Sequence, residues 1–443
     1  MKIVVIGAQI AGATFAVNYK KEHPEDDVII INKNIHTSYI TSALPFLLKE
    51  DIKDDDIILY SEKYLKSLGI KLYLKSEVIS VEPDTKTLKI IKGASGTLET
   101  LDYDKLIIAS GCNSVKLPIF ENKGNNFFIF KNILNINRLK KFIEKNEPKN
   151  ALIVGGGGTG ITVATALNKL NIDITIVEKE KNILRQFDID FQIYAKEYLE
   201  KNNIKLLLDS EIKAAEQGNK VKVKINKEDY EYDFIVVTAG IIPNTNYLHN
   251  TNIHMTQNGY IFVNEKLETN IKDIYAIGDC AIVKSSGVEE YILPKLAGAA
   301  KLQAEYLYRN IDSNKTYKGT TAPMVINVLD KVLAKIGIIE SQAEENNLEY
   351  KIIEIKENIY PNYINENKEI YLKAIFNKNL DFIGIEMFGD EEIFNILNYF
   401  TSALKGKFNA KDFIQQEFYY TPKYFKLNEI IKEIGEEALK ENE

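Results

Sequence analysis

Apolar residues gather into short unbroken runs at two distant places in the chain, and each run leads into glycines. Residues 3–6 are Ile-Val-Val-Ile, followed by Gly7-Ala8-Gln9-Ile10-Ala11-Gly12, a helix-forming stretch at 13–21, and a second run at 28–31 ending on Asn32. Residues 151–154 repeat the design. They precede Gly155-Gly156-Gly157-Gly158-Thr159-Gly160, a helical stretch at 161–170 and a run at 174–177 ending on Glu178. Runs of four apolar residues without a polar break predict strands buried on both faces, as in parallel sheets. Each segment therefore reads as a strand–helix–strand unit with a glycine turn. A repeated unit is a more specific signal than one copy.

The pattern elsewhere adds detail. Residues 72–82 and 87–91 read as strands of a meander. Residues 106–108 form a strand ending in Ala109-Ser110-Gly111, and 234–240 repeat that design up to Gly240. From about residue 318 the glycine turns stop. Strands are expected there at 324–328, 334–339, 351–355, 369–376 and 382–387, with a helix at 391–404. The expected fold is α/β: two Rossmann-like dinucleotide-binding units, then an α+β C-terminal domain from about residue 318.

Size and charge narrow the function. A chain of 443 residues exceeds one core, since domains hold roughly 100–200 residues. The net charge of -7 gives no electrostatic support for a nucleic-acid role. Two distant cysteines, Cys112 and Cys280, make neither a disulfide framework nor a zinc set. The four histidines show no metal-ligand spacing, so no metal is expected; His36 alone lies near a segment of interest. The chain opens into a strand rather than a secretory signal, and no apolar run reaches the roughly 20 residues of a membrane span. A soluble, cytoplasmic protein is expected.

The glycine turns carry the first chemistry. A pyrophosphate needs backbone N–H groups and the positive end of a helix. Gly155, Gly157 and Gly160 fill the three places that such a turn requires, and Thr159 lies within it. Glu178 stands where a carboxylate accepts ribose hydroxyls and repels a 2′-phosphate, so NADH is expected before NADPH. In the first turn Gly7 and Gly12 are present, Gln9 replaces the middle glycine, and Asn32 stands at the ribose position, followed by Lys33.

Taken in order, these motifs and two later ones resemble a known family. The later motifs are 238–244, Thr-Ala-Gly-Ile-Ile-Pro-Asn, and 274–280, Ile-Tyr-Ala-Ile-Gly-Asp-Cys. The set resembles the flavoprotein disulfide reductases over essentially the whole chain, and 38–45, Ser-Tyr-Ile-Thr-Ser-Ala-Leu-Pro, is similar to their NADH oxidase, NADH peroxidase and coenzyme A-disulfide reductase branch. The resemblance implies FAD on the N-terminal turn through Gly7, Gln9, Ile10, Ala11, Gly12, Asn32, Lys33, Ser42, Ala109, Ser110 and Gly111. It places Gly278 and Asp279 on the flavin ribityl chain near a helix start, and implies an FAD domain, 1–112 with 240–317, interrupted by an NAD domain, 113–239, then a C-terminal domain, 318–443, through which a homodimer forms. It also makes 419–422, Tyr-Tyr-Thr-Pro, similar to a region that reaches the partner subunit's site; an aromatic packing cluster is the other reading.

The departures matter most. Ser42 occupies the place of the redox cysteine, and a hydroxyl forms no disulfide or sulfenic acid. Ile10 stands at the peroxidase-branch histidine, Gly158 at an aromatic beside the flavin, and Thr162 at a glutamate for the carboxamide. Three functions remain open: an NADH-dependent flavoenzyme using oxygen and forming peroxide, a reductase of a small redox protein, and a paralogue that keeps the fold for binding only. Cys112 and Cys280 are expected to be passive, and Asp54-Asp55-Asp56 to be a solvated helix start.

Overall fold

The structure is a computed structural model, and it describes residues 1–48, 52–93, 95–115, 117–120, 124–286, 291–366 and 368–440. Both apolar runs form central strands of five-stranded parallel sheets. In the first sheet the order is Ile274–Ala276, Lys105–Ile108, Lys2–Ile6, Asp27–Asn32, Lys71–Leu74. In the second it is Lys205–Leu207, Asp173–Val177, Asn150–Val154, Phe234–Val237, Phe127–Ile129. Ile3, Val4 and Val5 are wholly buried, as are Ala151, Leu152 and Ile153, because in each unit helices cover one face of the sheet and a three-stranded antiparallel sheet covers the other. In each sheet the strand order reverses beside the strand that feeds the glycine turn. That reversal opens a crevice at the carboxyl ends of the strands, where α/β sheets bind ligands.

The second sheet is inserted into the first through a short ribbon. The outgoing segment Cys112–Ser114 pairs antiparallel with the returning segment Ile241–Pro243, with Cys112 opposite Pro243 and Ser114 opposite Ile241. Pairing the two passages fixes where the insertion leaves and returns.

One expectation needs correction. Residues 72–82 are not one meander strand. Lys71–Leu74 is the parallel edge of the first sheet, and Glu77–Glu82 begins a separate antiparallel sheet with Thr87–Lys92 and Thr97–Asp102. Lys75, with φ of 51°, breaks the run, and Ser76 N–H donates to the Asn32 carbonyl at the bend. Lys75, Ser76 and Glu77 are three polar residues in a row, and that interruption was the available sequence signal for the break.

The C-terminal part is an antiparallel sheet in the order Met324–Val328, Lys331–Gly337, Phe382–Gly389, Glu369–Asn377, Tyr350–Asn358. Helices Phe394–Lys405 and Phe425–Leu439 pack on it through Ile396, Phe400, Ile430 and Ile434. Other residues of this sheet, Ile326, Leu333 and Phe388, join the core of the second parallel sheet. The C-terminal layer therefore rests on the inserted unit and on the segment Thr41–Leu48, whose Leu44 and Leu47 enter the same core. Asp54–Ile57 is a 3₁₀ turn with the acidic run in its first turn, as the sequence suggests.

Candidate functional site

The first turn is built by two close approaches. Gly7 has φ of +108°, and a Cβ there would lie 2.2 Å from the Ala109 carbonyl oxygen. A Cβ on Gly12 would lie 2.0 Å from the Gly7 carbonyl oxygen, so only glycine lets helix Ile10–Glu22 seat on its strand. Gln9 precedes that helix without bonding its end. Its Oε1 accepts weakly from Tyr39 N–H at 3.4 Å. Its Nε2 is buried with no hydrogen-bond partner among the described residues.

A cleft of about 670 Å³ runs over this turn, within the roughly 300–1,000 Å³ common for small-molecule sites. Gly7, Gln9, Ile10 and Ala11 line its middle, with Ala109, Ser110 and Gly111 beside them. Asn32 and Lys33 line one end, Gly278 and Asp279 the other. Gly12 lies behind the turn, outside the lining. Asn32 donates both Nδ2 hydrogens to the carbonyls of Asn34 and His36, while Oδ1 meets Ala8 N–H at 3.4 Å. It therefore offers a ligand an acceptor only. Lys33 pairs with Glu77 at 2.6 Å.

Asn244 closes the 238–244 motif, whereas Tyr247, Lys131 and Lys295 carried no sequence signal. Asn244 Nδ2 donates to the Ser110 carbonyl at 2.9 Å, and Tyr247 OH to Ser110 Oγ at 3.2 Å, which closes the returning strand over the cleft. Lys131 and Lys295 line the Asp279 end. Burial pushes the Asp279 carboxyl up, against the pull of these two lysines. Gly278-Asp279-Cys280 is a single 3₁₀ turn, not the start of a long helix. The helix at this end is Ala297–Asn310, and its Gln303 accepts from Gly278 N–H at 2.7 Å.

The second turn repeats the first. Gly155 has φ of +109°, and a Cβ on Gly160 would lie 1.9 Å from the Gly155 carbonyl oxygen. Gly157 faces open space before helix Gly158–Asn168, and Thr159 is exposed in its first turn. Glu178 accepts from Gly156 N–H at 2.6 Å and from Glu180 N–H at 3.0 Å, which braces the turn. Gly240, with φ of +67°, ends the neighbouring strand. A Cβ on Gly158 would lie 2.8 Å from Ile326 Cδ1. Thr162 Oγ1 donates to the Gly158 carbonyl at 2.8 Å and so is spent inside its own helix.

Ser42 is exposed at the start of the 3₁₀ segment Thr41–Leu48, whose Pro45 cannot donate to a helical ladder. Thr41 lines the cleft; Ser42 does not. Cys112 Sγ donates to the Asp279 carbonyl at 3.2 Å, and Cys280 is wholly buried. Burial pushes their thiols up to about 12 and about 11 respectively, so both stay protonated and unreactive near neutral pH.

Comparison with known proteins follows the same lines. Residues 1–304 match the family described as pyridine nucleotide-disulphide oxidoreductase. The chain belongs to that family. A coenzyme A disulfide reductase of Staphylococcus aureus is 28% identical over 444 residues, covering 99% of both chains. The oxidoreductase superposes on reduced Bacillus anthracis CoADR-RHD with a TM-score of 0.92 at 24% identity, covering 99% of this chain and 80% of that one. It superposes on the water-forming NADH oxidase from Lactobacillus brevis, bound to NADH, with a TM-score of 0.90 at 20% identity, covering 99% and 98%. Membership bears out the expected fold class and the expectation of an enzyme using FAD and a pyridine nucleotide. Among the described residues no helix is long and apolar enough to cross a membrane.

Proposed function

We propose that this oxidoreductase passes electrons from NADH through FAD to oxygen, without a disulfide step. The balanced reaction is NADH + H⁺ + O₂ → NAD⁺ + H₂O₂. The observation that carries the reading is the set of sulfur positions. A serine stands where the family resemblance expects the redox thiol, and the two cysteines are buried with raised thiols. The relatives named for coenzyme A disulfide reduction share the fold, but reduction of a disulfide needs a thiolate that Ser42 cannot supply.

The residues present fit FAD in the cleft. Gly7 and Gly12 let the strand turn tightly into helix Ile10–Glu22, whose positive end can then face a pyrophosphate, and the unpartnered Gln9 Nε2 is a free donor beside it. Asn32 Oδ1 accepts from a ribose hydroxyl, and Asp279 from hydroxyls of the ribityl chain. Ala109, Ser110, Gly111 and Gly278 supply backbone at close range. When bound, the flavin supplies hydride acceptance and electron release. The turn at Gly155, Gly157, Thr159 and Gly160 holds NADH. Each Glu178 oxygen keeps a lone pair for the ribose, and its charge disfavours NADPH. Ser42 stands outside the cleft lining, next to Thr41, and supplies no nucleophile. The division into 1–112 with 240–317, 113–239 and 318–443, and a homodimer formed through the last, belong to the same proposal. Tyr419 and Tyr420, 63% and 75% exposed, give that part an aromatic surface to cover.

An absorbance spectrum with anaerobic NADH titration tests this. Bleaching of a flavin spectrum by one equivalent of NADH, followed in air by one peroxide per NADH, supports it. Stoichiometric water, or turnover that requires an added iron–sulfur protein, overturns the oxygen acceptor. A protein that takes up no FAD overturns the whole reading.

A further inference from the structure

We infer that Lys295 raises the reduction potential of the redox ring at the Asp279 end of the cleft. The inference rests on the functional reading above, in that it requires FAD in this cleft. A dinucleotide with its pyrophosphate on the Gly7 turn and its adenosine toward Asn32 must put its other half at the opposite end. That end is lined by Asp279, Lys131, Lys295, Ala297 and Ala300.

Three observations set Lys295 apart. Its backbone lies at φ of 46°, a left-handed conformation held by no other described non-glycine residue that lines the cleft. It stands two residues before helix Ala297–Asn310, whose start has no side-chain cap and no acidic residue in its first turn. The positive end of that helix and a full lysine charge thus converge on one end of the cleft. Finally, positive charge is in excess at this end. Lys33 at the adenosine end is paired with Glu77 at 2.6 Å. At the ring end Asp279 faces both Lys131 and Lys295, two cations against one carboxylate. Among the described residues Lys295 Nζ has no ion-pair partner and rests over the Tyr260 ring, 5.1 Å from its centroid.

Receipt of a hydride leaves one negative charge on the ring system, and NAD⁺ departs. A cation beside that charge favours the reduced state, and because Lys295 is exposed the effect weakens as salt is added. The same cation favours addition of sulfite, an anion that bonds to the oxidised ring and leaves charge on it.

The test uses FAD-loaded wild type, Lys295→Met, Lys295→Arg and Lys295→Gly. Midpoint potentials come from dye equilibration, and sulfite affinities from bleaching of the flavin band. Met and Gly are expected to lower the potential and weaken sulfite binding about tenfold or more, while Arg holds both near wild type. Gly also relieves the left-handed strain, so a lowered potential in a protein at least as stable as wild type separates charge from folding. FAD-loaded Met and Gly variants with unchanged potential and sulfite affinity overturn the inference and leave the functional reading intact. Wild type that takes up no FAD overturns both.

Discussion

Asp188 and Lys373 form an ion pair of 3.0 Å with side chains only 4% and 2% exposed. Asp188 belongs to the loop before helix Ile189–Lys201 of the inserted unit, and Lys373 to the C-terminal strand Glu369–Asn377. The same lysine meets Asp190 and Glu340, and Asp188 also accepts from Ser341 Oγ at 2.7 Å. This network latches the two parts together. Asp188→Asn removes one of three carboxylates around a buried lysine that keeps Asp190 and Glu340, a loss of about 1–3 kcal/mol. Urea unfolding is expected to show a fall of that order, and an unchanged midpoint would deny the latch.

Glu386 sits beside the pair, fully buried, accepting from Asp188 N–H at 2.9 Å through one oxygen. The other oxygen has no partner among the described residues. Burial, then the Asp188 carboxylate, pushes the Glu386 carboxyl up to about 9. An unfolded glutamate releases its proton near about 4.3. Between these values the folded chain binds more protons, so this group's contribution is full below the lower value and lost as pH rises through the upper one. Glu386→Gln is expected to remove that decline and to be more stable than wild type at pH near 8, measured by denaturant titration across pH. Asp188 behaves oppositely. Burial pushes it up, but bonds from Glu386, Ser341 and Lys373 prevail and hold it down at about 2, so its contribution is full above about 4 and lost in strong acid.

Gln9 gives a direct test of the cofactor cleft. Replacing it by Leu removes the unpartnered Nε2 donor while keeping similar bulk. Loss of one hydrogen bond to a charged group costs about 1.5–3 kcal/mol. Titration of apoprotein with FAD is expected to show at least tenfold weaker binding, with stability of the apoprotein unchanged. Equal affinity would mean that the amide never meets the phosphate.

Gly158 and Ile326 test how the C-terminal sheet seats against the second turn. Phenylalanine at 158 runs into Ile326, whose Cδ1 already lies 2.8 Å from a Cβ there. Overpacking of this kind costs about 1–3 kcal/mol. Ile326→Ala in the same chain is expected to recover most of it, since the two side chains then share one space. Additive losses in the double variant would show that they do not compete.

The glycine turns were legible because their chemistry is local. Gly7, Gly12, Gly155 and Gly160 are required by contacts within a few residues or with the adjacent strand, and sequence order preserves those contacts. The five C-terminal strands were legible for the same reason, through apolar runs bounded by turns. Lys131, Lys295 and Tyr247 carried no motif, since each reaches the cleft from a different element. The lysine in 371–376 and the glutamate in 383–388 interrupt apolar strands, and that interruption was the available signal for the buried network.

The sequence by itself determined two phosphate turns, the strands that feed them, and the absence of a cysteine at position 42, because these depend on residue type and short spacing. Tertiary structure alone decided that residues 72–82 divide between two sheets, that Lys335, Glu386 and Lys373 face one another across three strands, and that Lys295 shares a cleft with Asp279. Those outcomes depend on strand register and on docking between distant segments. A long-range pairing is fixed by the whole core it buries, which no local window of the chain contains.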